Sequence, residues 1–173
     1  WPDSGPLHPA ADPIGRHAQR RITDTSETAH YLDALAAPLD HYEPGDTDMT
    51  WTRTTPWRSM LAAALDQPVG TVTAAHVWVQ ARNPSGWLLV GWLQARLGVP
   101  TTLSHSRQPG ISRVVLTTDQ GEVVLSRPDG RVAQLSVPGM PPATVALPRR
   151  TLAELLSEEL RRLYPDEVYF SMA

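Results

Sequence analysis

The sequence predicts an α+β fold: a mixed sheet with an antiparallel β-meander packed against helices, preceded by a segment with no complete core of its own. Three observations carry this expectation. Polar residues directly precede a proline that opens an apolar-periodic run at Asp12-Pro13, Thr55-Pro56 and Asn83-Pro84. The stretch ISRVVLTTDQGEVVLSRPDGRVAQLSV (111–137) alternates apolar and polar residues around two turns, TDQG and RPDG. TLAELLSEELRRL (151–163) reads as a capped amphipathic helix.

In chain order, Asp12-Pro13 predicts a helix over about 13–19, because proline at the first helical position gives up an N–H that would be unpaired there and the preceding residue can cap. RRIT (20–23) reads as a strand. A helix over about 27–41 follows Ser26, with Pro38 placed to break it early. HYEPGDTD (41–48) is the linker candidate, and it sets the predicted boundary between residues 1–45 and a closed domain at 46–173. MTWTRT (49–54) is read as a strand, with Met49, Trp51 and Arg53 on one face and Thr50, Thr52 and Thr54 on the other. Thr55 then caps a helix over about 56–66, TVTAAHVWV (71–79) makes a strand, and Asn83 caps a helix over about 84–97.

That last helix carries Trp87, Leu88, Leu89, Val90, Trp92 and Leu93 around its whole circumference, so burial on most sides is expected, as a central core helix or, alternatively, as one partly covered by a missing domain or partner. Gly86 and Gly91 would admit close approach of another element, at about 1 kcal/mol each relative to alanine. The meander follows, with a further strand near 143–147. In the final helix Thr151 and Glu154 have capping-box spacing. Leu152, Leu155, Leu156, Leu160 and Leu163 form a stripe expected to pack on the sheet, the alternative being a partner surface.

Composition removes several classes of function. With 173 residues, 41% hydrophobic and 19% charged, the chain is ordinary for a globular protein, and a net charge of −3 offers no basic stripe for nucleic acid or anionic membrane. No apolar run approaches the roughly 20 residues that span a bilayer. Without cysteine there is no disulfide, thiolate nucleophile or zinc–thiolate site, a composition that fits a cytoplasmic protein. All 15 basic residues are arginine, so lysine chemistry (a Schiff base, a P-loop lysine) is absent. The opening WPDSGPLHP has no signal-peptide pattern and reads as cut from something longer.

The six histidines are scattered, with no H-E-x-x-H pair, and His76 reads as a hydrogen-bonded structural histidine in its strand. There is no G-x-S-x-G, G-x-G-x-x-G or Walker A pattern, so neither a cofactor nor catalytic residues are expected. Asp46 and Asp48 flank Thr47 as a short D-x-D, which turn chemistry explains more simply than a metal. The densest cluster is DMTWTRTTPWRSML (48–61). There a guanidinium, Arg53, is delivered beside a helix start at Thr55-Pro56, with Trp57 and Arg58 following. Free N–H groups and a guanidinium suit an anion, whereas tryptophan and arginine suit a protein interface. A strand–helix corner whose tryptophans fill core is the plainer alternative. Arg53, Thr55, Trp57 and Arg58 are therefore the partner- or anion-binding candidates.

Several blocks together resemble the OpcA family of glucose-6-phosphate dehydrogenase assembly proteins from actinobacteria and cyanobacteria: WPDSGP, DPIGRHAQRRITD, GDTDMTWTRTTPWRSMLAAALDQP, SGWLLVGWLQARLG, SRPDGRVAQLS and LAELLSEELRRLYPDEVYFSMA. The resemblance covers nearly the whole chain. It implies that residues 1–45 are the tail, or C-terminal remnant, of an N-terminal α/β domain. It further implies a non-enzymatic partner of the dehydrogenase that promotes its assembly or allosteric activation in the oxidative pentose phosphate pathway. Cyanobacterial relatives are linked to thioredoxin control through cysteines, which these residues lack. A domain sensing a sugar phosphate or another anion, or a hydrolase-like enzyme, near Arg53 and the Pro56 helix is the alternative.

Overall fold

A computed structural model describes residues 8–26, 40–162, 164 and 166–170. Along them run a 3-10 turn (Gly15–His17), β1 (Arg21–Thr23), β2 (Asp46–Asp48), α1 (Met49–Thr52), α2 (Thr55–Leu65), β3 (Val72–Gln80), α3 (Pro84–Leu97), β4 (Thr101–Ser106), β5 (Ile111–Thr118), β6 (Gly121–Ser126), β7 (Val132–Ser136), β8 (Ala143–Ala146), α4 (Leu152–Arg161) and α5 (Glu167–Phe170). The helix expected at 27–41 lies almost wholly outside the described residues, as do Trp1, Pro2, Leu163 and Pro165. The chain divides into two compact units, Trp1–Arg53 with Arg150–Ala173, and Thr54–Arg149.

The second unit holds a six-stranded mixed sheet in the order β4-β3-β5-β6-β7-β8. β3 and β4 are parallel, joined through α3, whereas β3/β5 and every later pair are antiparallel, which is the predicted meander. Period-two alternation sets the faces. Ala75, Val77 and Val79 of β3 are buried with Val114, Leu116, Val123, Leu125 and Ala133 of β5–β7. Trp57, Leu61 and Ala64 of α2 and Leu89, Val90 and Leu93 of α3 complete that core. Each fully buried large aliphatic side chain contributes about 1.5–3 kcal/mol. The α+β class, with helices against a mixed sheet, is thus as expected.

α3 follows its sequence signals closely. The Asn83 side chain accepts from Ser85 N–H at 3.0 Å, Pro84 opens the helix, and Gly98 closes it in the left-handed region. Gly86 is where the strand comes close: a Cβ there would lie 2.7 Å from Val79 Cγ1. Gly86→Ala is therefore expected to lower stability by about 1–3 kcal/mol through overpacking, despite alanine's better helix propensity, as read from the urea midpoint. Burial around α3 is less complete than predicted, since Trp87 is exposed. β4 was not foreseen; TTLSHS has no apolar alternation because it forms the parallel edge of the sheet.

The first unit departs from expectation more. β1 and β2 pair in parallel, Ile22 opposite Thr47. The predicted strand 49–54 does not form: the strand ends at Asp48, and Met49–Thr52 is a helical turn. The cause is Asp48, whose carboxylate accepts from Thr50 N–H at 2.7 Å and caps the turn. Met49, Thr50, Trp51 and Thr52 are consequently all buried, and the two-faced pattern is not realised. The predicted helix at 13–19 shrinks to the 3-10 turn, with Asp12 accepting from Ile14 and Gly15 N–H at 2.9 and 3.1 Å.

α4 has the predicted capping box, Thr151 N–H donating to Glu154 at 2.7 Å and Glu154 N–H to the Thr151 hydroxyl at 3.3 Å. Its leucine stripe, however, does not pack as expected. α4 packs against α1, and the side it buries carries Leu155 and, one turn on, Glu159. Leu152, Leu156 and Leu160 stay exposed, Leu160 by 62%. The polar partners of Glu159 decide this rotation of the helix.

Candidate functional site

The first part of the DMTWTRTTPWRSML stretch, Asp48 to Arg53, sits in a network of buried carboxylates within the first unit. β1 and β2 place Thr23 and Asp48 side by side, so Asp48, almost fully buried, accepts from the Thr23 hydroxyl at 2.7 Å. It also accepts from Thr25 N–H at 3.4 Å, the Thr25 hydroxyl at 3.3 Å and Thr50 N–H at 2.7 Å. Asp46 pairs with Arg21 and accepts from Glu43 N–H at 2.9 Å. Both carboxylates of the D-x-D are thus held by donors within the first unit.

Glu159 is fully buried and accepts from the Thr52 hydroxyl at 2.7 Å and Arg20 Nη2 at 3.2 Å. Arg20 also donates to the carbonyl of Arg162, and Arg150 bridges Glu158 and the carbonyl of Thr52. Trp51 Nε1 donates to Asp166 at 2.9 Å, and Asp166 caps α5 through the N–H groups of Val168 and Tyr169. The Tyr169 ring lies 5.7 Å from Trp51, and burial, followed by the charges of Asp48 and Asp46, raises its phenol well above the ordinary value.

Of the four predicted residues, Arg53 belongs to this unit and Thr55, Trp57 and Arg58 to the other. Arg53 grips Asp24 with a two-pronged contact at 2.7 and 2.8 Å. α2 begins at Thr55 rather than Pro56, and its N-cap is Thr54, with no side-chain cap bond. The cap expected from Thr55 is absent because both hydroxyls accept from Arg58 instead: Thr54 from Nε and Thr55 from Nη2, each at 3.0 Å. Trp57 is buried in the core, and the Arg127 guanidinium lies 5.0 Å above its ring centre. His76, as expected, is held at both nitrogens, by Ser104 at 2.8 Å and Thr102 at 3.0 Å, and it stacks on Trp78. Asp48 is singled out in the sequence by the D-x-D and read as turn chemistry, and it does cap the Met49–Thr52 turn; Glu159 and Arg127 are not singled out there as functional residues.

The carboxylates make the unit acid-sensitive. Burial is the largest influence on Asp24 and pushes its pKa up, but the Arg53 hydrogen bond and charge and Ser26 N–H together hold it below the ordinary value. Asp166 is likewise lowered, burial being outweighed by Trp51, Tyr169 N–H and Arg162. A carboxyl depressed in the fold stabilises it fully above the unfolded pKa and loses that contribution as pH falls through the folded one. Melting temperature should therefore fall below about pH 4, and Asp24→Asn should flatten that acid limb while lowering stability at neutral pH.

Comparison with known proteins agrees with this architecture. Over 152 residues the chain is 27% identical to a Synechocystis sp. protein named as the OxPP cycle protein OpcA, covering 83% of this chain and 30% of that relative's length. A mutant of KijD10, a 3-ketoreductase from Actinomadura kijaniata solved with TDP-benzene and NADP, matches at TM-score 0.56 and 11% identity, over 99% of this chain and 73% of its own. A second mutant of that enzyme gives 0.49 at 10% identity, over 88% and 65%. The first of these likenesses speaks to the fold alone, and nothing is built on the second. Residues 44–172 match the OpcA-type family described as the C-terminal domain of a glucose-6-phosphate dehydrogenase subunit, so the chain belongs to that family.

Proposed function

We propose that the chain acts as the C-terminal part of an OpcA-type assembly factor. It binds glucose-6-phosphate dehydrogenase, supports its assembly or allosteric activation, and does no chemistry itself. The observation that carries this is the family match over 44–172; the name of the Synechocystis relative agrees with it. The start of that match also supports a domain boundary near 45–46. The non-enzymatic reading is supported by how the carboxylates are used. Asp24, Asp46, Asp48 and Glu159 are all committed to internal donors, which suits a rigid scaffold better than proton transfer. The work belongs in the cytoplasm, beside the dehydrogenase; no described helix is long and apolar enough to cross a membrane.

An activator shifts an equilibrium only by binding the active state more tightly than the inactive one. For that contact we assign the exposed Leu152, Leu156 and Leu160 face of α4, which borders an open groove of about 470 Å³ shared with Ile14, Ile22 and Met49. Arg53, Thr55 and Arg58 are half-buried and have surface to offer a partner, and they remain contact candidates on their own units; Trp57 takes part only from within the core.

The test is co-purification with the cognate dehydrogenase, with its rate measured with and without this protein. Saturable binding and a change in KM or kcat are expected. No binding and no kinetic change sinks the reading. Leu156→Glu should leave stability within about 0.5 kcal/mol while weakening binding by more than about 1 kcal/mol.

A further inference from the structure

We propose that Arg127 and Arg149 form a binding site for a small phosphate-bearing anion on the second unit. Arg127 follows β6 and is only 7% exposed. Its Nη1 and Nη2 donate to the carbonyls of Leu147 and Ile111 at 2.8 and 3.2 Å, and its Nε is buried without a hydrogen bond. A buried cation is ordinarily matched by a carboxylate, because removing charge from water costs several kcal/mol. Among the described residues no carboxylate pairs with Arg127; its hydrogen bonds go to backbone carbonyls, and its guanidinium lies over the Trp57 ring.

Instead a second cation is brought alongside. Arg149 is exposed and makes no hydrogen bond or ion pair among the described residues. Two turn glycines, both in the left-handed region, leave the space in which it lies. A Cβ on Gly130 would sit 3.1 Å from Arg149 Nε, and a Cβ on Gly110 would sit 3.4 Å from Arg149 Nη2 and 3.8 Å from Arg127 Nη2. The two guanidiniums thus flank one point beside Gly110. Burial, followed by the Arg149 charge, lowers the Arg127 pKa to about 10, with Asp129 opposing. Asp129 acts only through its field, since its Oδ1 is taken by Arg131 and Val132 N–H at 2.9 and 3.0 Å.

Like charges held together, one of them desolvated, favour a counter-ion that meets both. A phosphate dianion offsets two positive charges and accepts from the planar guanidinium fork, which a single carboxylate does less completely. Inorganic phosphate and a phosphate monoester share this chemistry, and the experiment carries both.

The 173-residue chain is melted in inorganic phosphate and in glycerol phosphate, each against chloride at matched ionic strength, with tryptophan emission followed because Trp57 lies under Arg127. A saturable rise in Tm and an emission change with either phosphate are expected. Arg149→Gln, at an exposed position, should weaken binding roughly tenfold or more. Arg131→Gln, a neighbouring exposed arginine, should leave it unchanged. An equal Tm rise in chloride, or undiminished binding by Arg149→Gln, overturns the proposal. Dehydrogenase binding is not part of either readout.

Discussion

Asp48→Ala should cost the first unit about 3–5 kcal/mol, enough to remove much of a typical domain's stability. Asp48 serves four donors, from Thr23, Thr25 and Thr50, in a place with almost no solvent. Each buried donor left unpaired costs about 1–3 kcal/mol, and loss of an N-cap about 0.5–2. These terms overlap, so their sum is an upper bound. Asp48→Asn keeps an acceptor for Thr50 N–H but gives up the charge and an acceptor oxygen, and it should fall between wild type and alanine. Urea unfolding followed by far-UV circular dichroism measures both variants. A loss below about 1 kcal/mol for alanine would show that water replaces the carboxylate and that the network is not closed.

Trp57→Ala should be as damaging to the second unit, at about 3–5 kcal/mol. Trp57 is buried with Leu61 and Ala64 on the face of α2 that meets the sheet. The residue also supplies the ring beneath Arg127, so alanine leaves both a cavity and a buried guanidinium without its π-face, the latter worth about 1–2 kcal/mol when desolvated. Trp57→Phe keeps a ring and should recover more than half of the loss. Trp87→Ala, at an exposed tryptophan of α3, is the matched control and should change the urea midpoint little.

Where the sequence was legible, one local signal dominated. Asn83 and Pro84 specify the start of α3, Thr151 and Glu154 specify the start of α4, and alternation between TDQG and RPDG specifies the meander; each is decided by neighbours in the chain. Legibility failed where a distant residue decides. MTWTRT has strand composition, yet Asp48, held by Thr23 and Thr25, turns it into a helix. The leucine stripe of α4 implied its own orientation, but Glu159 finds Thr52 and Arg20 and faces inward instead. The candidate cluster was located correctly as unusual. Arg53, however, is drawn to Asp24, a pairing that no spacing rule reveals, whereas Arg58 turns back to the Thr54 and Thr55 hydroxyls at ordinary i,i+4 and i,i+3 helical spacing.

The division of the chain into units has a kinetic consequence. The second unit, Thr54–Arg149, is continuous, whereas the first is assembled from Trp1–Arg53 and Arg150–Ala173. On a ribosome the continuous unit is complete before α4 has been made, and its hairpins close over short separations. The first unit must wait: Thr52 meets Glu159 across 107 positions of chain. Until α4 arrives, Thr52 and Arg20 lack their acceptor and Met49 and Trp51 lack the rest of their unit. α4, made only after the second unit is complete, therefore acts as the latch of the first unit, and a nascent chain stalled before it would expose the Trp51 turn to chaperones and proteases.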